Sequence, residues 1–371
     1  MGGKVTGAKH PSNRGEAVFT GVKTVVRFDL WSDPAMEERF AREPGIALKT
    51  CRLAGPEGDA WTVLGDAHVY QISAARNELP HRWHVGAGLL ERCPRLLCVS
   101  SSGAGYDTVD VAACTKAGVL VVNQAGGNAQ SVAEHTLGLM LDLSRRISES
   151  DRRLRRERGF KREDVMGREI AGKTIGLVGI GHVGRRVAGL AHAFGMTVLA
   201  HDPHLTGEEI ARRGAIPVTL NDLLERSDVV SLHCPRDEGT LGMMDAAAFA
   251  RMKTGALFIS TARGGIHDET ALADALRRGQ VGGAGLDVWD EEPPPLDHPL
   301  LMQDNVVATY HTAGVTPEAR RNMWALAAEQ IVGVLKGERP PRLINPEAWP
   351  AYAERFEPVM GFRPDTAAGG Y

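Results

Sequence analysis

Gly179, Gly181 and Gly184 stand at G-x-G-x-x-G spacing, and Asp202 follows 18 residues after the last of them. These residue types at this spacing suit the holding of a dinucleotide. Gly179 permits a tight turn, Gly181 lets a pyrophosphate approach the backbone, and Gly184 lets a helix pack closely on a sheet. A helix that starts there offers unpaired N–H groups and partial positive charge to the phosphates. Asp202 can accept hydrogen bonds from the adenosine ribose hydroxyls. Its charge repels the extra phosphate of NADP, which favours NAD. The same spacing also occurs at plain αβ turns, so the reading depends on the elements around it.

Those elements fit. Residues 174–178 form a short apolar run with strand character. Val183, Val187, Leu190, Ala191 and Phe194 make one apolar helical face, and Gly195 ends that helix. A second strand, 197–201, delivers Asp202. Strands are predicted at 174–178, 197–201, 229–232, 256–260, 284–288 and 305–309, with helices at 183–194, 221–226, 246–252 and 268–278. Such alternation implies a doubly wound parallel sheet covered on both faces. Ligands bind such a sheet at the carboxyl ends of its strands. After 229–232 come His233, Cys234 and Pro235; after 256–260 come Thr261, Ala262, Arg263, Gly264 and Gly265. After 284–288 come Asp290, Glu291 and Glu292; after 305–309 come Tyr310, His311, Thr312, Ala313 and Gly314. An arginine, an acid and a histidine therefore converge on the rim expected to hold the cofactor phosphates. On residue types alone, His233 rivals His311 and Glu291 rivals Glu292.

The first hundred or so residues read as a second, compact αβ unit without a phosphate loop. Its strands are expected at 23–28, 46–53, 67–72 and 95–100, with helices at 34–42 and 83–92. The unit ends in SSGAGYDTVD, where Gly103 and Gly105 could present backbone N–H groups to a small anion such as a carboxylate. An ordinary αβ turn has the same composition. After a short strand at 119–122, Ser131 and Glu134 suggest a capping box for a helix running to about Ile147. Its apolar residues spread around much of the circumference, which implies burial at a domain junction, a subunit interface or both. Residues 145–168 hold nine Arg and one Lys with interleaved acids. This reads as a solvated face or a dimer arm rather than a nucleic-acid patch. Thr316, Pro317 and Glu318 open a last long helix to about Lys336, and a tail carries Trp349, Tyr352 and Phe356. Residues 1–22 are polar and Gly-rich, and they and the last dozen are expected to be loose.

Composition narrows the function class. Net charge is −3, so no bulk field points to nucleic acid or a membrane. No apolar run is long enough to span a bilayer, and no secretory signal is seen. The five cysteines form no C-x-x-C pair and no metal-ligand spacing, which suggests reduced thiols in a cytoplasmic protein and no metal.

GIGHVG with Asp202, HCP, STARGG, GLDVWDEEP and YHTAGVTPEA occur in one order along the chain. Together they resemble the successive signatures of the D-isomer-specific 2-hydroxyacid dehydrogenase family. The earlier SSGAGYDTVDVAACTKAGVLVVNQAGGNAQSVAEHTLGLML matches too, so the resemblance covers residues 67 to 345. It implies a two-domain α/β protein: a Rossmann-type NAD domain at 126–315 and a flavodoxin-like substrate domain from 1–125 and 316–371. Arg263 matches the substrate-binding arginine, Glu292 the acid before the proline, and His311 the acid/base. The resemblance implies an NAD site of Gly179, Gly181, His182, Val183, Gly184, Asp202, His233, Cys234, Pro235, Thr240, Thr261, Ala262, Arg263, Asp287, His311 and Gly314. Substrate contacts would come from Ser102, Gly103, Ala104, Arg263 and His311. The implied partner is a small 2-hydroxy or 2-keto acid, and the implied assembly is a homodimer through the NAD domain.

The chemistry agrees with that assignment. A 2-keto acid needs its carboxylate and carbonyl fixed, and a guanidinium is planar, charged and bidentate. The carbonyl oxygen gains a proton as hydride arrives, which suits an imidazole. A carboxylate beside the imidazole orients it and stabilises the imidazolium. Two departures from the family pattern are visible: Tyr310 precedes the histidine and Thr312, Ala313 and Gly314 follow it. Arg76 is the one cation in the stretch after the third strand, 73–78, which argues against phosphate recognition there.

Overall fold

The computed structural model describes residues 21–365; the extension at 1–20 and the end at 366–371 lie outside it. The chain divides into two compact units. One runs to Ser102, takes in Tyr106–Asn123 and resumes at Ala327; the other holds Gly103–Gly105 and Gln124–Leu326. The breaks fall at 123/124 and 326/327, against the expected 125/126 and 315/316. The first ten residues of the last long helix therefore pack with the nucleotide-type unit.

The first unit is a five-stranded sheet. Its elements are β1 (Lys23–Phe28), α1 (Ala35–Phe40), β2 (Ile46–Cys51), α2 (Glu57–Gly65), β3 (Val69–Ile72), α3 (Ala87–Arg92), β4 (Cys98–Ser101), α4 (Val111–Lys116) and β5 (Leu120–Val122). The order is β2-β1-β3-β4-β5, all parallel. This is the 2-1-3-4-5 order of flavodoxin-like sheets. β3, β4 and β5 are buried along their whole length, as strands with both faces covered must be.

The second unit begins with α5 (Ala129–Arg145) and α6 (Ile147–Arg156). The expected capping box at Ser131 and Glu134 does not form. The helix starts three residues earlier, behind Asn128 instead of Ser131, and Ser131 Oγ bonds Thr316 Oγ1 at 2.8 Å. Glu134 instead accepts from Gln130 at 2.8 Å. α6 buries no residue and is laced with ion pairs such as Arg146–Glu149 and Arg153–Glu157, the pattern of a solvated face.

Then follow β6 (Thr174–Val178), α7 (Gly184–Ala193), β7 (Thr197–His201), α8 (Gly207–Arg212), β8 (Ile216–Pro217), α9 (Leu220–Arg226), β9 (Val229–Leu232), α10 (Ala246–Arg251), β10 (Ala256–Ser260), α11 (Glu269–Arg277), β11 (Val281–Leu286), β12 (Val306–Ala308) and α12 (Pro317–Leu335). The sheet order is β12-β11-β10-β9-β6-β7-β8, all parallel. The order reverses at β6, which separates β7 from β9, so the crevice at the carboxyl end of β6 is the topological switch point where such folds bind ligands. β11 starts three residues earlier than expected, because its glycines serve close packing rather than a turn. A Cβ on Gly282 would lie 2.5 Å from the Gly255 carbonyl, and one on Gly285 would lie 2.9 Å from Leu139 of α5. The tail is a helix, α13 (Trp349–Met360), which buries Tyr352, Phe356 and Met360 in the first unit. Among the described residues no helix is long and apolar enough to cross a membrane.

Candidate active site

The glycine turn is built as its spacing demands. Gly179 has φ +88°, and a Cβ there would sit 2.9 Å from the backbone of His233 and Cys234. A Cβ on Gly184 would lie 2.3 Å from the Gly179 carbonyl. A Cβ on Gly181 would meet no protein atom within 4 Å. Gly179 and Gly184 are thus required by the fold, whereas the space over Gly181 is open at the N-terminus of α7. That is the cradle a pyrophosphate would fill, so the residues present fit a dinucleotide. Asp202 closes the turn: one carboxylate oxygen accepts from Ile180 N–H at 3.1 Å and the other from His204 N–H at 3.1 Å.

The neighbouring loops surround this turn. Val183 is the residue before α7, and exposed His182 lies beside Gly126. His233 follows β9 and its Nε2 lies 2.9 Å from Ser231 Oγ; burial pushes its pKa down to about 3. Among the described residues it has no carboxylate partner, unlike His311. Burial pushes the Cys234 thiol up to about 11. Thr240 donates its hydroxyl to the Pro235 carbonyl at 2.7 Å and so braces its own loop. Thr261 is buried against Thr136 of α5, with the two hydroxyls 3.1 Å apart. Gly314 lies against Asn128, whose side chain a Cβ would meet at 2.7 Å.

Arg263, Glu292 and His311 come from three loops past the carboxyl ends of β10, β11 and β12. His311 Nδ1 is 2.8 Å from Glu292 Oε2. An ionised carboxylate only accepts, so Nδ1 carries hydrogen and Nε2 is the ring nitrogen left for a ligand. Burial raises the Glu292 carboxyl pKa. The His311 hydrogen bond and charge, the Trp289 N–H and the charge of Arg263 outweigh burial and hold it below the usual carboxylate range. Glu291, the rival acid, is exposed. Arg263 is half-buried and donates to its neighbour's carbonyl, Ala262 O, at 2.7 Å. Its loop is pressed on the loop of Glu292: a Cβ on Gly264 would lie 2.0 Å from Trp289 O, and Gly265 N–H donates to Asp290 at 2.6 Å.

One residue that holds this arrangement, Trp289, was not legible as a site residue, and another, Asp287, has a role beyond the expected one. Trp289 donates its indole N–H to Thr309 O at 3.0 Å and its backbone N–H to Glu292 Oε1 at 3.2 Å. In the sequence it reads as one more apolar residue of a buried segment. Asp287, expected to line the NAD site, has a second engagement. Its carbonyl accepts from His311 N–H at 2.7 Å, and its carboxylate accepts from Thr312 N–H at 2.8 Å and Ala313 N–H at 2.9 Å. These three consecutive amides hold His311 at φ +48°, a left-handed conformation that costs a non-glycine residue energy.

The Ser102–Ala104 turn differs in part from expectation. Ser102 N–H donates to Ile72 O at 2.8 Å and continues the sheet ladder, so that amide is engaged. Gly103 O accepts from Gln124 N–H at 2.8 Å. Arg76 donates to Asp107 O at 2.9 Å. No group of three or more metal-ligating side chains occurs among the described residues.

Comparison with known proteins bears on the same residues. Residues 137–313 match the model of the D-isomer specific 2-hydroxyacid dehydrogenase NAD binding domain. The chain is 40% identical over 310 residues to a D-3-phosphoglycerate dehydrogenase of Archaeoglobus fulgidus, covering 83% of this chain and 57% of that protein. It spans about half the length, 49%, of other phosphoglycerate dehydrogenases that it matches. A glyoxylate reductase of Korarchaeum cryptofilum is 37% identical over 266 residues, covering 71% of this chain and 80% of that one. The solved D-lactate dehydrogenase of Aquifex aeolicus, complexed with NAD and lactic acid, superposes with TM-score 0.72 at 28% identity, covering 85% of this chain and 96% of that one. Sequence, fold and the glycine turn agree: this chain belongs to the D-isomer specific 2-hydroxyacid dehydrogenase family.

Proposed function

We propose that the protein moves a hydride between NAD and a D-2-hydroxy acid or its 2-keto acid. The observation that carries this reading is the 2.8 Å contact of His311 Nδ1 with Glu292, which leaves Nε2 to handle a substrate proton. When bound, NADH supplies the hydride. His311 in its imidazolium form gives the Nε2 proton to the carbonyl oxygen; in the reverse direction neutral Nε2 takes the hydroxyl proton. Glu292 orients the ring and stabilises its positive charge. Arg263 fixes the substrate carboxylate and carbonyl through its fork of N–H donors. The backbone of the Ser102–Ala104 turn adds donors from beyond Ser102, whose own amide is donated to Ile72. Asp202 at the end of β7 selects NAD over NADP by charge.

The unit built from both chain ends is assigned the choice of substrate. A homodimer through the NAD domain is part of the same reading. It is supported by Ile147 and Leu154 on α6, 55% and 62% exposed, and by Met166 in the segment that follows, 65% exposed. The test is NADH oxidation with a panel of glyoxylate, hydroxypyruvate, phosphohydroxypyruvate and pyruvate. Saturable oxidation of one of them is expected; NADH binding with no turnover of any 2-keto acid would overturn the reading.

A further inference from the structure

We propose that His135 on α5 is a positioning residue for the His311 turn, acting through Thr309 and Asp287. The inference rests on the reaction proposed above. Thr309 Oγ1 lies 2.6 Å from Asp287 Oδ1 and 3.0 Å from His135 Nε2. A hydroxyl has one proton to give. Asp287 is 1% exposed, and its carboxylate already accepts the Thr312 and Ala313 amides. As an anion it accepts only, so the Thr309 proton points to Asp287. The Thr309 oxygen must then accept from His135, and His135 must carry hydrogen on Nε2.

The consequence is directional. A second acceptor, Leu286 O, lies 3.4 Å from the same hydroxyl. Without the His135 donor nothing prevents the hydroxyl from turning toward it. Asp287 would then lose its shortest hydrogen bond, which leaves a buried carboxylate less fully satisfied. A carboxylate no longer anchored by Thr309 is free to rotate away from the Thr312 and Ala313 amides, and these amides hold His311 in its left-handed conformation. His135 Nε2 also lies 3.7 Å from Asp287 Oδ1, so the ring packs against both ends of the Thr309–Asp287 bond. The charged groups that act on His311 are Glu292 on Nδ1, Arg263 by way of Glu292, and Asp287 beneath the turn.

The test uses the full chain labelled with ¹⁵N-histidine, in wild type and in H135L, H135Q, T309V and T309S. H135Q and T309S keep a donor and a hydroxyl; H135L and T309V remove them. We expect wild-type His135 to show the Nε2-protonated form in long-range ¹H–¹⁵N spectra. The His311 ring ¹⁵N signals, recorded at one fixed pH, should move in H135L and T309V and stay near wild type in H135Q and T309S. With NADH and glyoxylate, kcat should fall roughly tenfold in H135L and T309V while KM for NADH changes less than about twofold. An Nδ1-protonated His135, unmoved His311 ring signals in folded H135L and T309V, or an unchanged kcat in either variant overturns the proposal. If wild type reduces no 2-keto acid, the proposed reaction fails, and the spectra alone still decide whether His135 controls the His311 turn.

Discussion

Asp287 grips the turn at His311 through three consecutive amides, the first of them His311's own. The Asp287 carbonyl takes the His311 amide at 2.7 Å, and its carboxylate takes the next two amides at 2.8 and 2.9 Å. The imidazole is therefore aimed by a backbone cradle as well as by Glu292. A ring held at both its base and its Nδ1 has little freedom left, which is what proton transfer at Nε2 requires.

Removing the ring should remove turnover and spare cofactor binding. H311Q is expected to lower kcat by about 10²–10⁴-fold. NADH binding, followed by fluorescence titration, should change little. Wild-type turnover in H311Q would refute the assignment of the acid/base.

Gly184 and Gly181 in the glycine turn should respond in opposite ways. G184A forces a Cβ to within 2.3 Å of Gly179 O, so it should destabilise the fold by about 1–3 kcal/mol. G181A meets no protein atom and should melt at the wild-type temperature, yet weaken NADH binding at least tenfold. Thermal melts paired with NADH titrations check both. Equal NADH affinity in G181A and wild type would mean that the space over Gly181 is not the phosphate cradle.

On the proposed reading, Asp202 selects which nicotinamide cofactor is accepted. D202A removes the charge at the end of β7 and the acceptor for Ile180 and His204. Loss of charged hydrogen bonds of about 1.5–3 kcal/mol should raise KM for NADH roughly tenfold or more. The ratio of kcat/KM for NADPH over NADH should rise with it; an unchanged ratio would assign selectivity elsewhere.

Stability should fall on mild acidification. Burial pushes His68 and His267 each down to about 4, and each is 1% exposed. An unfolded histidine titrates near 6.5. Between these values the unfolded chain binds more protons than the folded one. Stability is therefore full above about pH 6.5 and is lost as pH falls toward 4, at up to about 1.4 kcal/mol per pH unit for each ring. Among the described residues neither ring nitrogen of His267 has a hydrogen-bond partner. H267L should accordingly cost little at pH 7.5 and make the acid loss shallower by one proton. Urea midpoints at pH 7.5, 6 and 5 measure the slope, and an identical slope in H267L would contradict the linkage.

Short-range pattern carried much of the nucleotide-type unit. The strands at 174–178, 197–201, 229–232 and 256–260 are found at those residues, because compact apolar runs between turn residues leave one reading. The glycine spacing pointed to Gly179, Gly181 and Gly184 because a missing Cβ is a property of residue type. The order of motifs along the chain pointed to Arg263, Glu292 and His311, since each follows a strand of the same sheet.

Other features depend on groups distant in sequence, and only packing decides them. The start of β11 was misread because glycine usually marks a turn; Gly282 and Gly285 are there because Gly255 and Leu139 press on them. Ser131 failed as a cap because its hydroxyl meets Thr316, 185 residues away. Glu292 and Glu291 are the same residue type side by side, and the choice between them is made by where His311 sits in space. The role proposed for His135 has no local signature at all. Its partner Thr309 is 174 positions along the chain, and a hydrogen bond of that reach exists only once the sheet and α5 are packed.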